Sequence, residues 1–249
     1  MTVQYYKEWS SYLRRDMEYK VYGESGRVLL AFPPEGGRFY DWEDHGMIRQ
    51  AARWIDAGKL QLVCADPVDR ESWSARNLPL RARTEMQEKW FCYLTAELYP
   101  RIQALTGTEK PVCTAGVGLG AAHAVNLFLR RPALFGGVIA LSGVYDSAAA
   151  FGADAGSDDL LYRNDPAAYL SDMAAQDPRL AQYAAADPLV LCAGQGAGEE
   201  AASASAQALA LQLQKKGVSA HADLWGMDVT PDWSWWQKEL DLFLTRWLG

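Results

Sequence analysis

The chain has 249 residues, 49% of them hydrophobic and 22% charged, enough apolar material for one α/β domain with a substantial core. A formal charge of −7 and a pI near 5.0 exclude nucleic acid and anionic membrane surfaces as principal partners. No run of ~18 apolar residues is present to span a bilayer, and the polar, aromatic start MTVQYYKEWSSYLRRD lacks the form of a signal peptide, so a cytoplasmic location is expected.

Short apolar runs alternate with longer helical stretches, the pattern of a mainly parallel sheet with helices on both faces. Strands are expected at 17–23 (MEYKVYG) and 27–33 (RVLLAFP), joined as an antiparallel N-terminal hairpin through Glu24-Ser25-Gly26. A helix over 43–57 leads to strand 59–66, and a long helix over 81–104 spaces its apolar residues at helical intervals. Strand 111–116, helix 119–131 and strand 136–143 follow. Strand 188–194, helix 200–216, strand 219–226 and a final helix over 232–248 complete the pattern. The Ala/Asp-rich stretch 147–187 has too few periodic apolar positions to be a domain, and is expected to form a small lid insert within a single domain of residues 1–249. On the final helix, Trp233, Trp236, Leu240, Phe243, Leu244 and Trp247 form a core-facing stripe. Trp235 and Leu242 fall off it, as a candidate homodimer surface.

Cys64, Cys113 and Cys192 lie in strand-like runs and read as buried thiols; with Cys92 they show no disulfide or metal spacing. His45, His123 and His221 are widely spaced and form no zinc motif. Neither a metal nor any other cofactor is expected.

The stretch VCTAGVGLGAAHAVN (112–126) carries the functional question: an apolar strand passes through a glycine turn into a small-residue helix. Gly116, Gly118 and Ala121 satisfy the G-x-G-x-x-A of a dinucleotide-binding turn, yet the motif follows about four strands instead of opening the chain, and the next strand ends without an acid for a ribose, Asp146 falling too late. A close-packed turn without chemistry is a second reading. The third is a nucleophile elbow, G-x-S-x-G, with Gly116 and Gly120 as its outer glycines and Gly118 at its centre.

The segment VCTAGVGLGAAHAVNLFLRRPALFGGVIALSGVYD resembles the esterase-D-like family of α/β-hydrolases, in which G-x-S-x-G-A-x-H-A-x-N is followed by R-H-P-x-x-F and A-L-S-G-x-Y-D. The blocks LLAFPPEGGRFYDWEDHGM, DRESW, CAGQGAGEE and LWGMDVTPDWSWW extend the resemblance over nearly the whole chain. It implies an α/β-hydrolase fold and ester hydrolysis by a serine, a histidine and an acid. It places the nucleophile at Gly118, which has no side chain, and the histidine at Pro231, which has no titratable group. The acid falls at Glu199 or Glu200, where it has no imidazolium to orient. One oxyanion donor is the Leu119 amide; the other comes from the loop opening Phe32-Pro33-Pro34, in which Glu35 or Gly36 must supply it.

No substitute constellation is visible. His221 lies about 15 Å from the catalytic end of its strand, His123 reads as a packed core residue, and Ser142 matches a family serine that is not the nucleophile. His45 remains a candidate to face the pocket. Pro33, Pro34, Glu35, Arg38, Ser72, Trp73, Gly118, Leu119, Tyr145, Trp225, Met227 and Asp228 should gather at the C-terminal edge of the sheet as pocket walls. The expectation is a hydrolase homologue that has lost ester hydrolysis and serves as a small-molecule-binding or interaction protein. The alternatives are a low-activity hydrolase with a non-standard arrangement and a dinucleotide-binding protein.

Overall fold

The protein, seen in a computed structural model that describes residues 1–148 and 158–249, is built on one sheet. Its strands are β1 (Val3–Ser10), β2 (Arg15–Tyr22), β3 (Arg27–Phe32), β4 (Leu60–Ala65), β5 (Val112–Val117), β6 (Phe135–Leu141), β7 (Leu189–Ala193) and β8 (Ala222–Leu224). They lie in the order β1-β2-β4-β3-β5-β6-β7-β8. β1 with β2 and β2 with β4 are antiparallel, and every other pair is parallel. RVLLAF, LQLVCA and VCTAGV are almost wholly buried, as strands covered on both faces must be.

The antiparallel N-terminal hairpin exists, but its strands are β1 and β2. The runs expected to pair, 17–23 and 27–33, are separated by β4. β1 lacks a strand's apolar signature because most of VQYYKEWS is exposed.

The helices are α1 (Asp41–Asp44), α2 (Met47–Asp56), α3 (Leu80–Tyr93), α4 (Tyr99–Thr106), α5 (Leu119–Arg130), α6 (Asp159–Arg163), α7 (Pro166–Asp172), α8 (Arg179–Ala184), α9 (Glu200–Lys215) and α10 (Trp233–Leu248). The helix expected over 43–57 is broken at Gly46, which sits at φ +77°. The one expected over 81–104 runs from α3 into α4 through a π-helical turn at Leu94–Leu98. On one face of the sheet α3, α4, α5 and α9 bury Trp90, Ile102, Phe128 and Leu209 against Leu30, Val63 and Val138. On the other, α1, α2 and α10 bury Trp42, Ile48, Trp236 and Phe243 against Leu29, Leu62 and Ile139.

The described part of 147–187 forms α6, α7 and α8, and buries Leu161, Leu170 and Tyr183. Residues 149–157 of the expected lid insert lie outside the described residues. Trp236, Leu240, Phe243 and Leu244 of the expected α10 stripe are buried. Trp235 and Leu242 are not the exposed pair expected: Leu242 packs on the core, and Trp235 is half-buried, edge-on to Trp225 at 6.4 Å with the Lys238 ammonium 3.7 Å from its ring centroid. The four thiols are free, with Cys64, Cys113 and Cys192 buried, and burial pushes Cys113 up to about 12. Among the described residues no helix is long and apolar enough to cross a membrane.

Candidate active site

β5 ends at Val117 and α5 begins at Leu119, so Gly118 alone makes the turn between them, at φ +56° and ψ −122°. The Gly118 amide donates to the Leu141 carbonyl at 2.9 Å, tying the turn to the end of β6. The flanking glycines are demanded by close approach: a Cβ on Gly116 would lie 2.0 Å from the Gly120 oxygen, and one on Gly120 would lie 2.3 Å from the Pro33 oxygen. Position 118 differs. A Cβ there would meet only the Pro34 ring, at an ordinary 3.5 Å. The turn therefore has room for a side chain, and the obstacle is the backbone, since a non-glycine in this conformation costs about 1–3 kcal/mol. Gly118→Ser is accordingly expected to lower stability by about that amount in thermal denaturation; a raised Tm would refute the strain.

Leu119 is the first residue of α5, so its amide has no intrahelical partner and stays available to an oxyanion. Of the two candidates for the second donor, Gly36 is committed elsewhere: its amide points to Asp69 Oδ2 at 3.3 Å. Asp69 is buried, and its Oδ1 accepts from His123 Nε2 at 2.8 Å. Gln87 Nε2 reaches His123 Nδ1 at 3.5 Å, and the imidazole packs among Phe32, Trp73 and Trp90. His123 is thus a hydrogen-bonded core residue, as expected, and Asp69 links it on α5 to Gly36 in the loop after β3. Asp69 opens the block DRESW, but Gln87 carries no motif that would single it out in the sequence.

The candidate acid Glu199 is bonded into the core. Glu199 is fully buried at the start of α9, and its Oε1 accepts from Ser142 Oγ at 2.5 Å. Ser142 Oγ in turn accepts from Trp236 Nε1 at 2.9 Å. Burial raises the Glu199 pKa, and the Ser142 hydrogen bond opposes that rise. Ser142 itself sits at φ +57°, unusual for a residue with a Cβ. A second carboxylate, Glu239 on α10, is buried with no N–H or O–H donor on either oxygen. Burial, then the charge of Glu199, pushes it up to about 7. Glu200 is exposed and accepts from the Gly198 amide at 3.0 Å.

The histidine position, Pro231, is exposed, with its ring 3.3 Å from where a Gly198 Cβ would lie. The loop carrying it thus rests on the turn before Glu199. No imidazole replaces it: His45 is exposed and stacked on Trp233 at 4.4 Å, and His221 lines a cavity with Asp187 and Pro188 beyond the N-terminal end of β7. Among the described residues no group of three or more His, Cys, Asp or Glu could hold a metal ion.

The expected pocket walls assemble only in part. Pro33, Pro34, Gly118 and Leu119 converge, with Pro34 against the elbow. Glu35 is exposed and accepts from Ser74 Oγ at 2.7 Å. Ser72 and Tyr145 are buried in the core, Met227 and Asp228 are exposed after β8, and Trp73 and Trp225 are half-buried. Arg38 pairs with Asp66 and Glu18, each at 2.9 Å, and faces a separate charged cavity of about 260 Å³.

The arrangement keeps a turn, one free amide and a buried acid; it offers neither a nucleophile at 118 nor a base at 231. Residues 10–246 match the protein family described as "Putative esterase". No curated protein matches the chain. Among solved structures it is similar to a ferulic acid esterase, with a TM-score of 0.72, 15% identity and coverage of 99% of this chain and 98% of that one. It is also similar to S-formylglutathione hydrolases from Agrobacterium tumefaciens (TM-score 0.69, 16% identity, 99% and 95% covered) and Staphylococcus aureus (0.70, 13%, 100% and 97%). At such identities the structural likeness shows the fold alone. The chain belongs to the esterase family of α/β-hydrolases.

Proposed function

We propose that this family member has lost carboxylic-ester hydrolysis and works in the cytoplasm as a small-molecule-binding or interaction protein. The observation that carries the reading is Gly118: the elbow is built to hold a nucleophile, and the residue there has none. Pro231 supports it from the other side of the site, because a proline neither accepts nor returns a proton. Removing one triad member typically costs on the order of 10⁶ in kcat, and binding with an oxyanion hole retains roughly 10³–10⁴ over water. The ligand class follows from the retained amide of Leu119 and from the names of the similar structures, a ferulic acid esterase and S-formylglutathione hydrolases, which point to acyl esters and thioesters or the acids they release.

The test is hydrolysis of nitrophenyl acetate and butyrate by the wild-type protein. No turnover above the buffer rate is expected. Turnover that survives repurification unchanged would overturn the proposal and favour a hydrolase with a non-standard arrangement.

A further inference from the structure

The two ends of the sheet are protected very differently. β8 is an edge of three residues. β1 is an edge of eight, paired to β2 in unbroken register from Val3↔Tyr22 to Ser10↔Arg15, with no proline and no bulge. Soluble proteins usually blunt such an edge with shortness, proline, bulges or charge, because its unpaired amides and carbonyls invite another strand. β1 carries only the charges of Lys7 and Glu8, and Glu8 is taken up by Arg101. Of the eight large hydrophobic side chains exposed among the described residues, Met1, Val3, Tyr5, Trp9 and Tyr12 all belong to the first hairpin.

Alternation sorts the strand into two rows. Tyr6, Glu8 and Ser10 face the protein, where Tyr6 stacks on Tyr19 at 5.0 Å and Glu8 pairs with Arg101 at 2.9 Å. Val3, Tyr5, Lys7 and Trp9 occupy the other face, and Trp9 is 64% exposed. Tyr5 is held in place, its hydroxyl donating to Glu18 at 2.6 Å and its ring 5.7 Å from that of Phe39. This row is an ordered apolar surface beside an open edge.

We propose that β1 pairs antiparallel with β1 of a second copy, across a two-fold axis at Tyr6, so that the two sheets become one. A two-fold axis perpendicular to the sheet leaves each row on its own face, and the register then decides what meets. Centred on Tyr6, Tyr5 opposes Lys7 twice, Val3 opposes Trp9 twice, and Gln4 opposes Glu8. A cation meets an aromatic ring, an aliphatic chain meets an indole, and no like charges face each other. Centring on Lys7 or Glu8 would set two like charges directly opposite, and centring on Tyr5 would leave more of the strand unpaired. Trp235 and Leu242, the candidate homodimer surface on α10, are half-buried, whereas the exposed self-complementary row is on β1.

Sedimentation velocity from about 1 to about 100 μM, the range for a small edge-on interface, tests this directly. The expected species is a dimer of twice the 27.6 kDa chain mass. Trp9→Lys, at an exposed site, should keep the wild-type Tm and weaken the dimer at least about tenfold. In a Cys92→Ser background, Tyr6→Cys should cross-link on mild oxidation and Lys7→Cys should not, because only position 6 faces itself. A monomer throughout the range, a dimer indifferent to Trp9→Lys, or cross-linking at Lys7→Cys in place of Tyr6→Cys would overturn the proposal.

Discussion

The Gly118→Ser/Pro231→His variant is expected to hydrolyse short-chain nitrophenyl esters at least ~10³-fold faster than the wild type, while either single variant stays near the wild-type rate. The turn at Gly118 leaves an added Cβ 3.5 Å of clearance to Pro34. Position 231 lies against Gly198, one residue from the buried acid. A serine without a base is a poor nucleophile, and an imidazole without a serine has no proton to take, so the two changes act as a unit. Initial rates for the four proteins decide it. A folded double variant as silent as the wild type would mean that positions 118 and 231 do not mark a lost catalytic centre.

Glu239→Gln is expected to stabilise the protein by about 3 kcal/mol at pH 8 and by under about 1 kcal/mol at pH 5. The folded-state pKa of about 7 stands above the ordinary carboxylate value of 4.5, because burial and then the charge of Glu199 disfavour ionisation. The native state therefore holds its proton more tightly than the unfolded chain. Wild-type stability should fall as pH rises from about 4.5 through about 7 and level off above. Glutamine carries no proton to lose, so the variant should lack that slope. Urea titrations of both proteins at pH 5, 6, 7 and 8 measure the difference; equal slopes would show that Glu239 ionises freely in the fold.

Much of this was legible in the residues. The alternation of apolar runs with helical stretches marked seven of the eight strands, and GVGLG marked the turn on which the site depends. The turn was readable in part because Gly116 answers to contact with Gly120, four residues on, although Gly120 answers to the distant Pro33. What escaped obeys longer-range rules. β1 reads as a polar start because one face packs on Tyr19 and Arg101 while Val3 and Trp9 on the other stay exposed. The strand order escaped because β4 enters between β2 and β3, and no local signal records an insertion. Gln87 and Glu239 are isolated polar residues in sequence, and burial by distant elements is what makes them matter.

Of the three positions that the proposed reading assigns to hydrolysis, the acid alone keeps its residue type, and its bonding gives it another use. Glu199 at the head of α9 grips Ser142 at the tip of β6, which in turn holds the indole of α10. That makes it a brace across three elements through its Oε1, a duty that needs no reaction at all. Serine and histidine at an elbow and a surface loop have no such second employment. Loss of chemistry is then expected to be lopsided, erasing first the groups that hold nothing up.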